Sequence, residues 1–174
     1  HIEYIKNLKK ERKVSVYVEI GVLYGGSIIE QMKDEQECIF VGIDPFTGYY
    51  GKTYDPHRKI DLSEHYDIVD NNIRNNNPHN HKYHLLKGLS NDSVRPFQDL
   101  GLKEIDYLFI DGDHSYQGVM DDYLNYSSFV NGIIVFDNYN DPSWPDVKRA
   151  VDDLIEKYNL KVINKIGHCC VICK

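Results

Sequence analysis

Apolar residues along this chain follow two rhythms that take turns from one end to the other. Short, nearly unbroken apolar runs occur at about 14–20, 38–43, 82–87, 105–110 and 133–136. Their length and their β-branched and aromatic content are those of strands buried on both faces, as in a parallel sheet. Between the runs, apolar positions recur three and four residues apart, which predicts helices at about 2–10, 27–33, 61–75, 90–100, 116–129 and 146–158. Strand and helix in alternation build βαβ units. Two last runs, 160–166 and 168–173, meet at Gly167 and predict an antiparallel hairpin on the sheet edge. The expected fold is α/β: a doubly wound, mostly parallel seven-stranded sheet with helices on both faces and an antiparallel C-terminal hairpin.

Composition narrows the picture without changing it. A chain of 174 residues that is 41% hydrophobic suits one domain over 1–174, with a lid or insert region at about 45–81 where the rhythm is least regular. A net charge of -7 argues against a nucleic-acid surface. No apolar stretch approaches the ~18 residues of a membrane span, and the first residues lack a signal-peptide pattern. His1 stands where an initiator methionine would, so membership of a longer polypeptide stays open, as does self-association into a homo-oligomer. Of four cysteines, Cys169, Cys170 and Cys173 crowd the last six residues. They lack a second ligand pair at zinc spacing, and read better as a small apolar strand in a reducing, cytoplasmic setting.

The candidate chemistry sits where the apolar runs end, because the carboxyl ends of parallel strands face the ligand crevice. The run at 105–110 ends in Asp111-Gly112-Asp113-His114-Ser115-Tyr116; a helix cap supplied by Asp113 or Ser115 accounts for part of that cluster, though not for His114 beside two acids. The first strand leads into Gly21-Val22-Leu23-Tyr24-Gly25-Gly26-Ser27, a strand–glycine loop–helix layout that lets backbone approach a ligand, or that serves only as a tight turn. Leu23 occupies the second glycine position of the dinucleotide fingerprint, which counts against a nicotinamide cofactor. Asp44 ends the second strand, about where an acid accepts ribose hydroxyls. Ser90 and Asn91, after the third, either touch a purine edge or cap a helix. Asp137 and Asn138 end the fifth. Neighbouring parallel strands lie ~5 Å apart, so Asp111, Asp137 and Asn138 can converge on one cation, and oxygen donors suit Mg²⁺ or a similar divalent ion. His79, His81 and His84 form a weaker metal-ligand trio, and Tyr49, Tyr50, Tyr54 and Tyr139 are candidate walls of an acceptor pocket.

Taken in order, Val18-Glu19-Ile20-Gly21 with Gly25 and Ser27, Val41-Gly42-Ile43-Asp44, the segment from Phe109 to Tyr116, and Gly132 to Asn138 resemble the class I S-adenosylmethionine-dependent methyltransferases, whose sheet is Rossmann-like. The likeness is greatest to metal-dependent O-methyltransferases of the catechol type and of the macrolide-sugar and cephalosporin-hydroxylase-like branch, over roughly 14–174. The resemblance implies S-adenosyl-L-methionine as cofactor, bound by Glu19, Gly21, Gly25, Ser27, Asp44, Ser90, Asn91 and Asp111. It implies Mg²⁺ held by Asp111, Asp137 and Asn138, and His114 as general base with Asp111 beside it. The sugar branch often carries two acids at the later pair; here it is Asp-Asn, as in the catechol type, so the acceptor class stays open.

The expected function is therefore a divalent-metal-assisted O-methylation of a hydroxyl on a small molecule or sugar, glycan modification included, with no nucleic-acid or membrane partner. The alternative is a non-catalytic cofactor- or partner-binding domain of a larger protein. A metal-dependent phosphoesterase, raised by Gly112-Asp113-His114, would need more His and Asp ligands on several loops than two strand ends supply.

Overall fold

The computed structural model describes residues 2–47 and 65–174. The apolar runs form β1 (Val16–Ile20), β2 (Ile39–Asp44), β3 (Tyr83–Lys87), β4 (Ile105–Ile110), β5 (Val130–Phe136), β6 (Lys161–Ile166) and β7 (Cys169–Cys173). The helical stretches form α1 (Ile2–Glu11), α2 (Gly26–Met32), α3 (His65–Asn75), α4 (Ser90–Asp99), α5 (Tyr116–Tyr126) and α6 (Pro145–Tyr158). All seven strands share one sheet in the order β3-β2-β1-β4-β5-β7-β6. The first five are mutually parallel, and β7 runs antiparallel to both β5 and β6. The chain works outward from β1 to β3 and returns on the other side of β1 as β4, so the direction of winding reverses between β1 and β4. Ligands of open α/β sheets bind at that reversal.

Alternation along each strand sorts the core into two layers. Tyr17, Phe40, Tyr107, Phe109, Val135 and Val171 face one side, where α1, α2 and α3 cover them with Ile5, Leu8, Ile28, Met32, Val69 and Ile73. Val18, Val41, Leu108, Ile110, Ile134 and Ile172 face the other, under Phe97 of α4, Tyr123 of α5 and Leu154 of α6. Local chemistry sets the helix ends. The Ser115 side chain accepts from Gly118 N–H and caps α5, Pro145 opens α6, and Asn159 closes α6 in the left-handed region at φ 50°. The predicted helix over 116–129 is α-helical only to Tyr126, and a 3₁₀ turn at Ser127–Phe129 then feeds β5.

Two expectations change, and a third falls outside the described residues. Residues 61–64 of the predicted helix and 48–64 of the 45–81 insert, with Tyr49, Tyr50 and Tyr54, lie outside the described residues. Phe46 at the start of that insert is buried and belongs to the core, not to a lid. His79 and His81 turn their Nε2 atoms to the carbonyls of Lys33 and Asp34, so they brace the C-terminal end of α2 instead of meeting a metal. No helix among the described residues is long and apolar enough to cross a membrane.

Candidate functional site

The strand tips form a row. Ile20 is in register with Ile43, Ile110 is in register with Ile20, and Phe136 with Ile110. One residue further, Gly21 N–H donates to Ile43, Asp111 N–H to Ile20 and Asp137 N–H to Ile110, at 2.9, 2.9 and 3.0 Å. Asp44, Gly21, Asp111 and Asp137 therefore stand side by side. Gly21 has φ 89°, and a Cβ there would lie 2.0 Å from the carbonyl oxygen of Asp111. The glycine loop and the tip of β4 thus touch backbone to backbone, which only glycine permits.

Residues 107, 109 and 111 share one face of β4, as 133, 135 and 137 do of β5, so both Asp111 and Asp137 point to the layer covered by α1 and α2. There they line a cavity of about 240 Å³ with Ile5 of α1, Tyr17, Phe109 and Ser27. Burial, opposed by the bond to His114 and aided by the charge of Asp137, pushes the Asp111 carboxyl up to about 6. Two acids facing one partly closed cavity are an electrostatic deficit that a divalent cation relieves, and that donor chemistry fits Mg²⁺. Asn138 is not turned into this cavity. It sits in the left-handed region at φ 56°, its carbonyl accepts from Asp141 N–H, and its side chain lies beside the Asp141 carboxylate. Among the described residues no three His, Cys, Asp or Glu side chains form a ready metal cluster.

His114 presents Nε2 to Asp111 Oδ1 at 3.1 Å, and its ring packs on Trp144 with centroids 4.6 Å apart. Trp144 immediately precedes α6, so the loop after β5 clamps the histidine that follows β4. Asp113 accepts from Ser115 N–H in the turn that starts α5, a purely local task.

Glu19 is fully buried in β1, with its carboxyl bonded by the hydroxyls of Tyr17, at 2.7 Å, and Ser27. Burial pushes it up to about 8, so it is protonated at neutral pH, and it reaches the cavity only through Ser27 and Tyr17. Asp44 spends both oxygens on backbone: Val22 and Leu23 N–H donate to Oδ2 at 3.0 and 3.1 Å, and Phe46 N–H to Oδ1 at 2.6 Å. It shapes the glycine loop. Gly25, at φ 84°, forms the N-cap of α2, and Ser27 stands in the first turn. Ser90 is buried with its side chain beside Asp122 of α5, and Asn91 accepts from the Asn125 amide, so both side chains are turned to α5.

A family model for the methyltransferase domain matches residues 18–139, a span that holds the glycine loop, Asp44, the Asp111–His114 turn and the Asp137-Asn138 pair. The chain belongs to the methyltransferase-domain family. An uncharacterized protein of Acanthamoeba polyphaga mimivirus is 31% identical over 160 residues, covering 89% of this chain, which spans 66% of that relative's length. Three solved structures share the fold of this methyltransferase domain. The O-methyltransferase NovP superposes with a TM-score of 0.72 at 22% identity, over 99% of this chain and 78% of its own. A TDP-rhamnose 3'-O-methyltransferase of calicheamicin biosynthesis gives 0.68 at 14%, over 98% and 77%. An O-methyltransferase from Bacillus cereus in complex with S-adenosylhomocysteine gives 0.66 at 17%, over 99% and 80%.

Four residues in or beside the candidate site were not singled out by the sequence pattern. Tyr17 shares the parity of Glu19, a signal that was present in the strand. Trp144 read only as a helix opener, although it is the one tryptophan and follows the Asp137 turn. Cys169 donates its thiol to Asp137 Oδ1 at 3.1 Å, a pairing that needs the β5–β7 register. Asp122 is buried against Gly112, where a Cβ would come within 2.8 Å of its Oδ2, and burial pushes it up to about 7. Tyr139, expected at an acceptor pocket, is instead 1% exposed, with its hydroxyl bonded to Asp152 and Lys165.

Proposed function

We propose that this chain is an S-adenosylmethionine-dependent O-methyltransferase that acts on a hydroxyl of a small molecule or sugar, glycan hydroxyls included, with a divalent cation at Asp111 and Asp137. The observation that carries the reading is the approach of Asp111, Asp137 and Ser27 to one cavity beside the Gly21 loop. When bound, S-adenosylmethionine supplies a methyl on positively charged sulfur, and a divalent cation supplies the field that lowers a hydroxyl's pKa. Asp111 and Asp137 are the carboxylates that hold the cation, and Asn138 joins them only if its side chain leaves Asp141. Ser27 and the backbone from Gly21 to Gly25 bind the amino-acid end of the cofactor, with Ser27 oriented by Glu19. Asp44 keeps that loop in shape through its three backbone bonds and turns any remaining lone pairs to the ribose. Ser90 and Asn91 border the adenine side through backbone and through their ties to α5. His114 takes the acceptor proton on its imidazole, with the ring fixed between Asp111 and Trp144. Ile5 and Phe109 keep bulk water from the cavity walls, which strengthens every charge interaction inside.

The test is methyl transfer from labelled S-adenosylmethionine to a panel of sugar and catechol hydroxyls, with S-adenosylhomocysteine binding followed by calorimetry. Asp137→Ala is expected to abolish metal-dependent turnover while leaving S-adenosylhomocysteine affinity largely intact. Full activity in the presence of a chelator, or in Asp137→Ala, overturns the metal-assisted mechanism. Cofactor binding with no transfer to any acceptor favours the alternative, a binding domain of a larger protein, which the 66% span of the mimivirus relative keeps in view.

A further inference from the structure

Of the three cysteines near the C-terminus, Cys169 alone meets the site. β5 and β7 pair Val135 with Val171 and Phe136 with Cys170. The next step of that antiparallel ladder brings Cys169 opposite Asp137, on the face shared with Ile133, Val135 and Val171. The thiol is fully buried, and its Sγ lies 3.1 Å from Asp137 Oδ1. Asp137 lines the cavity with Asp111 at the same time. A carboxylate at a strand tip turns freely about its last torsion. One directional bond to Oδ1 stops that rotation and holds Oδ2 in a single orientation. Groups that orient a metal-binding side chain in this way commonly contribute 10- to 100-fold in metal affinity.

We propose that Cys169 is a positioning residue for a divalent cation, its S–H fixing the Asp137 carboxylate from the neighbouring strand. The inference rests on the metal reading above, and its role is that of a hydrogen-bond donor, not of a ligand. Cys170, one residue on, faces the opposite core layer and has no such part.

The experiment is titration of Mn²⁺ into the full chain with S-adenosylhomocysteine present, with free Mn²⁺ read by electron paramagnetic resonance. Cys169→Ala removes the donor and opens space, Cys169→Val removes it and fills the space, and Cys169→Ser keeps a donor. Mn²⁺ affinity is expected to fall about 10-fold in the Ala and Val variants and to stay within about three-fold of wild type in Cys169→Ser. S-adenosylhomocysteine affinity is expected to be equal in all four proteins, which shows that each is folded. Equal Mn²⁺ affinity in wild type, Cys169→Ala and Cys169→Val overturns the inference alone. A loss in Cys169→Ser as large as in Cys169→Ala also overturns it, because packing would then be the cause. A wild-type chain that binds S-adenosylhomocysteine and no Mn²⁺ removes the metal reading and this inference together.

Discussion

Replacing Gly21 by alanine should damage the protein out of proportion to one methyl group. Gly21 has φ 89°, where an alanine loses about 1–2 kcal/mol relative to its preferred backbone. The added Cβ would also lie 2.0 Å from the Asp111 carbonyl oxygen, 2.5 Å from its carbon and 2.9 Å from Gly112 Cα. All three are backbone atoms, so no side chain can swing aside, and the tips of β1 and β4 must part. Overpacking of this kind costs roughly 1–3 kcal/mol, which brings the total to about 4 kcal/mol. Domains are stable by only about 5–15 kcal/mol, so a large share of the margin goes. With a urea dependence of about 2 kcal/mol per molar, the unfolding midpoint followed by circular dichroism should drop by about 2 M. Gly26→Ala is the matched control, since a Cβ there meets nothing within 4 Å, and it should stay within about 0.5 kcal/mol of wild type. A Gly21→Ala midpoint indistinguishable from that of Gly26→Ala would refute the backbone contact between the glycine loop and β4.

Three further outcomes follow from buried polar groups. Glu19 is raised to about 8 from an ordinary 4.5, so between those values the folded chain holds a proton that the unfolded chain releases, and stability falls as pH rises through that window. Glu19→Gln, neutral at every pH, should lose this slope and gain on wild type by up to about 4 kcal/mol between pH 5 and pH 8; parallel urea midpoints for the two proteins would show that Glu19 is not buried neutral. Asp44→Ala strands the N–H groups of Val22, Leu23 and Phe46 and should cost about 3 kcal/mol by urea unfolding, with Asp44→Asn between it and wild type. The Tyr107 hydroxyl is buried with no hydrogen-bond partner among the described residues, so Tyr107→Phe should leave thermal stability unchanged or raise it by about 1 kcal/mol, and a loss above that would reveal a partner.

The strands were legible because a sheet covered on both faces demands continuous apolar runs, and Val16–Ile20, Ile39–Asp44 and Ile105–Ile110 are such runs. The site was legible to the extent that it lies on strand ends: Asp111 and Asp137 follow their runs directly, and parallel register then brings them together. What depended on side chains reaching across elements was not. Asn138 looked like a third donor because it adjoins Asp137, yet the left-handed turn that begins there leaves it off the cavity wall and beside Asp141. Ser90 looked like a purine contact, and its buried side chain lies beside Asp122, 32 residues later. Tyr139 looked like a pocket wall, and α6 and β6 close over it through Asp152 and Lys165.

The two acids nearest the glycine loop show what separates the legible from the hidden. Asp44 and Glu19 both punctuate apolar strands, and both resemble cofactor ligands. Asp44 ends β2 one residue past the β1–β2 ladder, where free N–H groups of the loop converge, so three of them donate to its carboxylate. Glu19 lies two residues before Gly21, still inside the ladder and opposite Gly42 and Phe109, where backbone donors are already spent. Only hydroxyls from Tyr17 and Ser27 reach it, and burial keeps it protonated. A two-residue difference in distance from the strand end thus decides whether an acid braces a loop as an acceptor of backbone N–H or sits neutral in the core, setting the orientation of Ser27. The same count, applied to β4 and β5, puts Asp111 and Asp137 one residue past their ladders, where both carboxylates line the cavity.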